Sequence, residues 1–134
     1  MNQRTSLPCF LLAAGRGERM RPLTDTLPKP LLTIHNKSLL AWHLEALANA
    51  GIQKVVINHA WLGHKIEESL GNGNEFGLQI QYSPEETALE TAGGIVKALP
   101  LLQADDYFLV INGDVFCPNL PIDQILEGVN KIKN

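Results

Sequence analysis

A glycine-rich basic segment follows the first apolar run of the chain. Gly15-Arg16-Gly17 comes directly after the uncharged run Pro8–Ala14. Two glycines at the end of a strand let backbone amides approach an anion closely. Between residues 15 and 30, four basic side chains stand against two acidic ones, whereas the whole chain of 134 residues has a formal net charge of −3. A positive segment on an acidic protein predicts an anion site.

The basic side chains of this segment suit phosphate oxygens. Arg19 and Arg21 can supply forked donors, and Lys29 a compact point charge. Lys29 lies between Pro28 and Pro30, which restrain the backbone and so fix where the side chain points. A solvated loop face is the alternative interpretation of Arg16, Arg19 and Arg21.

A carboxylate follows the last strand-like run. Asn112-Gly113-Asp114 comes directly after Tyr107–Ile111. At the end of an apolar strand the Asp114 carboxylate needs a partner, and a hard cation such as Mg²⁺ is a natural one. The alternative is an aspartate that only caps the next turn. Together with the basic segment, Asp114 predicts a site for a polyphosphate and a divalent metal.

Other chemical motifs are absent from the sequence. Met20 stands where a dinucleotide fingerprint needs its third glycine, and no G-K-[ST] follows to make a P-loop. The four histidines show no metal-ligand spacing, and the two cysteines, Cys9 and Cys117, form no disulfide framework. The cysteine content suits a reducing cytosol, so we expect a cytoplasmic protein.

Strands and helices alternate along the chain. The predicted strands cover Pro8–Ala14, Lys54–Asn58, Leu78–Tyr82 and Tyr107–Ile111. Four helices are predicted. The first begins after the Ser38 cap, and the second contains Leu62, Ile66 and Leu70. The third runs from Gly93 to Pro100, where it stops, and the fourth begins at Pro121. This alternation predicts an α/β fold with a mostly parallel sheet, in which ligands bind at the carboxyl ends of the strands.

The composition is that of one folded domain. Hydrophobic residues make up 45% and charged residues 19% of the chain, which excludes a disordered or fibrous protein. No apolar run approaches the roughly 18 residues of a membrane span, and the acidic net charge argues against a nucleic-acid or membrane-surface partner.

Four motifs in order resemble one enzyme family. Leu12-Ala-Ala-Gly-Arg-Gly-Glu-Arg-Met-Arg-Pro-Leu-Thr24 and Pro28-Lys-Pro-Leu31 resemble the signature of the sugar-1-phosphate nucleotidyltransferases. Leu89-Glu-Thr-Ala-Gly-Gly94 and Ile111-Asn-Gly-Asp114 resemble its nucleoside and metal segments. The stretches at 56–63 and 82–85 are most similar to the branch that uses UTP and N-acetylmuramate 1-phosphate in peptidoglycan recycling. The resemblance implies the three-layer, Rossmann-like (GT-A-like) nucleotidyltransferase fold.

The resemblance also implies roles for individual residues. Arg19, Lys29 and Asp114 would be catalytic, with Mg²⁺ held by Asp114 and the sugar phosphate approached by Asn112. The implied nucleotide-binding residues are Ala13, Ala14, Gly15, Gly17, Glu18, Arg19, Lys29, Glu90, Thr91 and Gly93. The implied reaction makes a UDP-sugar and pyrophosphate from UTP and a sugar 1-phosphate. The alternatives are GTP with mannose 1-phosphate, dTTP with glucose 1-phosphate, or a nucleotide-binding module without turnover.

The family likeness also sets expectations for the end of the chain. Family members continue past the position of Asn134 with strands that complete the sugar pocket and with a second acidic metal ligand. We therefore expect residues 1–134 to form a single nucleotidyltransferase domain whose carboxy-terminal part is missing. An unfinished sheet exposes an edge and an apolar face, so we also expect self-association.

Overall fold

The fold is built on a four-stranded parallel sheet. The computed structural model describes residues 7–104, 107–116 and 120–133. The strands of this sheet are β1 (Cys9–Leu12), β4 (Lys54–His59), β5 (Gln79–Pro84) and β6 (Leu109–Asn112), and their order across it is β5-β4-β1-β6. A short antiparallel hairpin, β2 (Thr33–Ile34) and β3 (Lys37–Ser38), lies outside the sheet.

The middle strands are buried on both faces, as their continuous apolar runs predict. Phe10 of β1 pairs with Val56 of β4 on one side and Val110 of β6 on the other. Phe10 and Val56 are fully buried. Near-continuous hydrophobic runs are typical of parallel strands covered by helices on both sides.

Helices cover the two faces of the sheet. They are α1 (Leu39–Asn49), α2 (Gly63–Leu70), α3 (Thr91–Leu102) and α4 (Ile122–Lys133). The larger core cluster contains Leu11, Leu44 from α1 and Ile66 from α2, and the smaller one contains Phe10 and side chains of α3. Successive residues of β1 thus face opposite layers. The predicted three-layer α/β fold with a mostly parallel sheet is confirmed.

The helix boundaries agree with the sequence pattern at one end and differ at another. Ser38 caps α1 as predicted, since its Oγ accepts a hydrogen bond of 3.1 Å from the amide of Ala41. The predicted stop of α3 at Pro100 is wrong, because the helix continues to Leu102. Pro100 lacks the amide hydrogen that would make one helical hydrogen bond, but only two residues of the helix follow it. The helix then ends at Gln103, which has the left-handed conformation.

Two further sequence predictions concern membranes and cysteines. Among the helices of the described residues, none is both long and apolar enough to cross a bilayer. Cys9 is a free, buried thiol whose pKa burial raises well above its ordinary value. Cys117 lies outside the described residues.

Candidate active site

A cavity of about 570 Å³ opens where β1, β4 and β6 end. This is the edge at which ligands bind in open parallel sheets. Seven of the residues predicted for the site line this cavity: Ala13, Ala14, Gly15, Glu90, Thr91, Asn112 and Asp114. They come from three segments that are far apart in sequence, and the sheet brings them together.

Lys29 and Asp114 lie next to one another beside the cavity. Lys29 Nζ is 3.4 Å from Asp114 Oδ2, and each side chain is about one-third exposed, 32% and 30%. The parallel register of β1 and β6, which pairs Leu12 with Asn112, carries Asp114 to the same edge as the basic loop. Buried Pro30 anchors the short 3₁₀ helix that begins at Lys29. The cation and the carboxylate are therefore presented together to solvent.

Of the two glycines in the loop after β1, Gly15 and Gly17, the backbone conformation requires only Gly17. Gly17 has a φ of 71°, and a Cβ there would lie 3.0 Å from Lys29 Cβ and from Thr24 Cγ2. A Cβ at Gly15 would meet nothing within 4 Å, and Gly15 is exposed at the mouth of the cavity. Gly17 is thus required by the turn, whereas Gly15 keeps the backbone open to a ligand.

Two arginines of the basic loop are engaged inside the loop itself. The guanidinium of Arg16 lies 3.9 Å from the ring centroid of Trp61, and its Nη2 is 3.2 Å from Asp25 Oδ1. Arg21 Nε lies 2.8 Å from the same oxygen. Desolvation raises the pKa of Asp25, but the hydrogen bonds and charges of Arg16 and Arg21 outweigh it and hold this pKa below its ordinary value.

The sequence prediction that Arg21 donates to phosphate therefore meets a competing partner. Arg19 is exposed and has no ion-pair partner among the described residues. Of the three arginines in this loop, Arg19 has the guanidinium that a phosphate can recruit without breaking an existing ion pair. Glu18, beside it, is exposed as well and does not line the cavity.

Thr24 connects the two ends of this loop. It is completely buried, and its hydroxyl donates to the carbonyl of Gly17 over 2.7 Å. Its own carbonyl accepts from Trp61 Nε1 at 2.7 Å and from Arg16 Nη1 at 3.1 Å. These contacts fix the loop before any ligand arrives.

The opposite wall of the cavity is the start of α3. Glu90 is the amino-terminal cap residue of this helix and Thr91 its first residue, and both are exposed. Gly93 does not line the cavity, and a Cβ there would lie 3.3 Å from Leu89 Cβ. The three residues predicted for the nucleoside thus lie on one segment, two of them at the cavity.

Sequence reasoning missed a buried polar network between the two walls. Asn58, at the end of β4, accepts from the amide of Ala13 and donates to Glu85, which in turn accepts from the amide of Leu89. Asn58 lines the cavity and is 2% exposed, and Glu85 is 5% exposed. The signal was present in Asn58, a polar residue at the carboxyl end of a strand that is otherwise apolar.

A buried histidine holds the loop that carries Asp114. His43 of α1 lies 2.7 Å from the carbonyl of Val115 through Nε2. Since a carbonyl oxygen only accepts, His43 Nε2 carries the proton. Burial lowers the pKa of His43, and the bond to Val115 and the charge of Asp114 only partly oppose this.

The donor set fits Mg²⁺ held with the help of a substrate. Within the described residues, no group of three or more His, Cys, Asp or Glu side chains could hold a metal ion without a ligand. Mg²⁺ usually keeps waters and is bound by one or two carboxylates together with substrate phosphates. Asp114, half-buried beside an open cavity, matches that pattern.

Comparison with known proteins agrees with this geometry. A putative glucose-1-phosphate thymidylyltransferase from Bacillus anthracis superimposes with a TM-score of 0.84 at 24% identity, covering 93% of this chain and 50% of that one. HddC from Yersinia pseudotuberculosis, solved with GMP-PN, superimposes with a TM-score of 0.78 at 28% identity, covering 91% and 53%. These likenesses show that the fold is that of nucleotidyltransferases.

Sequence comparison decides the family. The family model described as "Nucleotidyl transferase" matches residues 9–134. The chain belongs to this family. The resemblance drawn from the four motifs is confirmed.

Two curated relatives in the family indicate its range of substrates. N-acetylmuramate alpha-1-phosphate uridylyltransferase of Neisseria meningitidis is 60% identical over 110 residues, covering 81% of this chain and 47% of the relative. A mannose-1-phosphate guanyltransferase of Gibberella zeae is 37% identical over 119 residues, covering 87% and 32%. The chain thus spans about half or less of the length of these relatives.

Proposed function

We propose that this protein transfers the uridylyl group of UTP to a sugar 1-phosphate, N-acetylmuramate 1-phosphate being the favoured acceptor, in peptidoglycan recycling. The observation that carries the proposal is the pair of Lys29 and Asp114, 3.4 Å apart beside a cavity that Asp114 lines together with Ala13–Gly15. The choice of UTP and of the muramyl sugar is supported by the 60% identical relative. Its name states N-acetylmuramate alpha-1-phosphate as the acceptor and uridylyl as the group transferred.

The residues of the site suit distinct parts of the substrates. In this proposal the backbone of Ala13, Ala14 and Gly15 lies along the nucleotide, and Glu90 and Thr91 lie near its base and ribose. Arg19, held in a loop whose other arginines are engaged, binds the triphosphate. Asn112 approaches the sugar phosphate. Gly17, Glu18 and Gly93 support the same pocket from outside its lining.

The proposed reaction needs no protein nucleophile. A phosphate oxygen of the sugar 1-phosphate attacks the α-phosphorus of UTP, a new P–O bond forms, and the bond to the leaving pyrophosphate breaks. Lys29 neutralises charge that develops on the α-phosphate, and Arg19 does the same on the leaving group. Bound Mg²⁺ would supply further charge neutralisation, with Asp114 as its protein ligand. The chain contributes positioning and electrostatics.

Pyrophosphate release tests the proposal. The protein is incubated with Mg²⁺ and UTP plus N-acetylmuramate 1-phosphate, with GTP plus mannose 1-phosphate and dTTP plus glucose 1-phosphate in parallel. We expect release with the UTP pair. Release with another pair alone would transfer the proposal to that substrate. If no pyrophosphate is released with any of the three pairs but UTP binding is measurable, the function would be nucleotide binding without turnover.

Two substitutions connect this result to the site. Lys29→Ala and Asp114→Asn should abolish Mg²⁺-dependent UTP binding and turnover, because each removes one charge of the pair. Lys54→Ala and Asp123→Asn are matched controls, since Lys54 contacts Gln103 and Asp123 is exposed on α4. Unchanged UTP affinity in both site variants would refute the proposal.

Two expectations about the protein's setting belong to the same proposal. UTP is an intracellular nucleotide, so we place the protein in the cytoplasm. The described sheet ends at β6, where Val110 is 42% exposed, and this supports self-association through that strand. Light scattering at micromolar concentration checks the second expectation, and a monodisperse monomer would contradict it.

A further inference from the structure

We propose that Asn58 and Glu85 are positioning residues that set the distance between the phosphate-binding turn after β1 and the nucleoside-binding start of α3. This inference rests on the proposed function, because it assigns the two side chains a role in nucleotide affinity. Both residues lie outside the four family motifs, in the stretches 56–63 and 82–85 that resemble the UTP-using branch.

The geometry connects one wall of the cavity to the other through a continuous chain of hydrogen bonds. The amide of Ala13 donates to Asn58 Oδ1 at 2.6 Å, and Asn58 Nδ2 donates to Glu85 Oε2 at 3.1 Å. The other oxygen of the carboxylate, Oε1, accepts from the amide of Leu89 at 2.8 Å. Ala13 and Leu89 both line the cavity.

The donors and acceptors of the network leave one arrangement. The amide of Ala13 can only donate, so the oxygen of Asn58 faces β1 and its NH₂ group faces Glu85. The amide of Leu89 can also only donate, so both oxygens of Glu85 are used as acceptors. Because the two side chains are almost fully buried, water does not compensate a lost bond.

A glycine of the nucleoside segment makes room for the network. A Cβ at Gly94 would lie 3.1 Å from Asn58 Nδ2 and 3.3 Å from Glu85 Oε2. Gly94 is buried inside α3, where alanine is otherwise the better helix former. The glycine is therefore explained by the side chains it borders.

The network has a mechanical consequence for the cavity. Ala13 directly follows Leu12, the last residue of β1, whereas Leu89 lies in the segment between β5 and α3, outside any strand. The Asn58–Glu85 pair transmits the position of the sheet to this segment. Breaking the pair frees the nucleoside wall and leaves the phosphate turn in place.

A reciprocal exchange of amide and carboxylate tests the inference. In Glu85→Gln, an NH₂ group opposes that of Asn58, and in Asn58→Asp, two carboxylates oppose each other. In the double variant, the introduced glutamine accepts from Leu89 through its oxygen and donates through its NH₂ group to the introduced aspartate. The other oxygen of that aspartate accepts from Ala13. The pattern is restored with donor and acceptor exchanged and with the net charge unchanged.

Mg²⁺-dependent UTP binding, measured by calorimetry on folded protein, is the readout. We expect each single variant to bind UTP about tenfold more weakly, because one buried bond is lost. The double variant should return to within about twofold of the parent, which an additive pair of structural defects would not do. Equal weakness of single and double variants, or unchanged affinity in the single variants, would overturn the inference.

Two controls separate positioning from stability and from the proposed function itself. Leu102→Ala opens a cavity in the smaller core cluster, outside both walls, and should lower the melting temperature with UTP affinity unchanged. Loss of UTP affinity in this variant as well would overturn the positioning role. If the parent protein binds none of UTP, GTP and dTTP, the proposed function fails and the inference fails with it. If the parent protein binds UTP and the variants bind it with the same affinity, the inference is refuted and the proposed function stands.

A second variant keeps the test decisive if a single exchange does not fold. Gly94→Ala pushes on both network side chains and should weaken UTP binding by several-fold. Gly128→Ala is its matched control, because Gly128 lies in α4 and a Cβ there meets nothing within 4 Å. Equal UTP affinity in these two variants would overturn the inference.

Discussion

The loop after β1, residues 13–28, and the segment that begins the connection after β6, residues 113–116 (the β6 loop), leave the same edge of the sheet but are held in different ways. The β1 loop is held by its own side chains, since Arg16 contacts Thr24 and Asp25, and also by Trp61 from the segment before α2, which contacts Thr24 and Arg16. The β6 loop is fixed from outside, by His43 on the carbonyl of Val115.

The difference follows from the partners that each segment has. The β1 loop contains Asp25, and two of its arginines, Arg16 and Arg21, pair with that carboxylate. Residues 113–116 instead contact the neighbouring helix α1. Trp42 of α1 also meets Phe116 edge to face, with ring centroids 5.6 Å apart. The phosphate side of the site thus combines contacts of its own with contacts from Trp61, whereas Val115 and Phe116, next to Asp114, contact α1.

The largest expected effect comes from breaking the β6 loop at Gly113. This residue is buried, and a Cβ there would lie 2.9 Å from the carbonyl oxygen of Leu12 and 3.0 Å from Leu40 Cδ2. Because neither β1 nor α1 can give way easily, Gly113→Ala should displace the loop and Asp114 with it. A displacement of about 1 Å can cost about a hundredfold in rate, and we expect that loss in pyrophosphate release.

Gly15→Ala gives the corresponding test on the β1 side. The Cβ meets no atom of the protein within 4 Å, so any loss in this variant comes from a clash with bound nucleotide rather than from the fold. We expect its melting temperature to equal that of the parent. A Gly113→Ala variant that retains full turnover would show that Asp114 needs no fixed position.

The comparison also shows which parts of the molecule the sequence could predict. The strands, the parallel sheet and the convergence of residues 13–15 with Asp114 follow from apolar runs and from the glycines that end them. Such signals are local, and β1 and β6 are adjacent in the sheet. The extension of α3 past Pro100 did not follow, because propensity alone does not decide the last turn of a packed helix.

The partners of the polar side chains could not be predicted in the same way. The sequence does not distinguish the three arginines of the basic segment from one another. The pairing of Arg16 and Arg21 with Asp25 is a property of the folded loop. Asn58 and Glu85 are 27 residues apart and meet only because β4 and β5 pair in parallel. Contacts of this range depend on register, which composition and periodicity do not contain.

The second prediction breaks the internal order of the β1 loop. Thr24→Val keeps the shape of the side chain but removes the hydroxyl that donates to the Gly17 carbonyl. That carbonyl keeps its bond from the amide of Met20, but Arg16 Nη1 also loses the hydroxyl as an acceptor, so the free energy of unfolding should fall by about 1 kcal/mol in urea denaturation. Thr33→Val, at an exposed position of β2, is the control and should change it by less than about 0.5 kcal/mol. Equal stability of the two variants would contradict the role of Thr24.

The third prediction sharpens the contrast between two arginines of one loop. Arg19→Ala should weaken UTP binding about tenfold and leave the melting temperature unchanged, because Arg19 is exposed and holds no part of the loop. Arg16→Ala should lower the melting temperature, because it removes the contacts to Trp61 and Asp25. Differential scanning fluorimetry with and without UTP measures both quantities. The reverse assignment of the two effects would show that Arg16 binds phosphate.

The smallest expected effect tests whether the β6 loop depends on α1 through His43. Burial lowers the pKa of this histidine in the folded protein, whereas in the unfolded chain its pKa is about 6.5. The unfolded chain therefore takes up the proton first, and stability falls as the pH drops below about 6.5. In His43→Gln the amide can still donate to the Val115 carbonyl but does not titrate. The stability advantage of the parent over this variant, measured by urea denaturation, should narrow between about pH 7.5 and 5.5. A constant difference between parent and His43→Gln over this pH range would contradict the prediction.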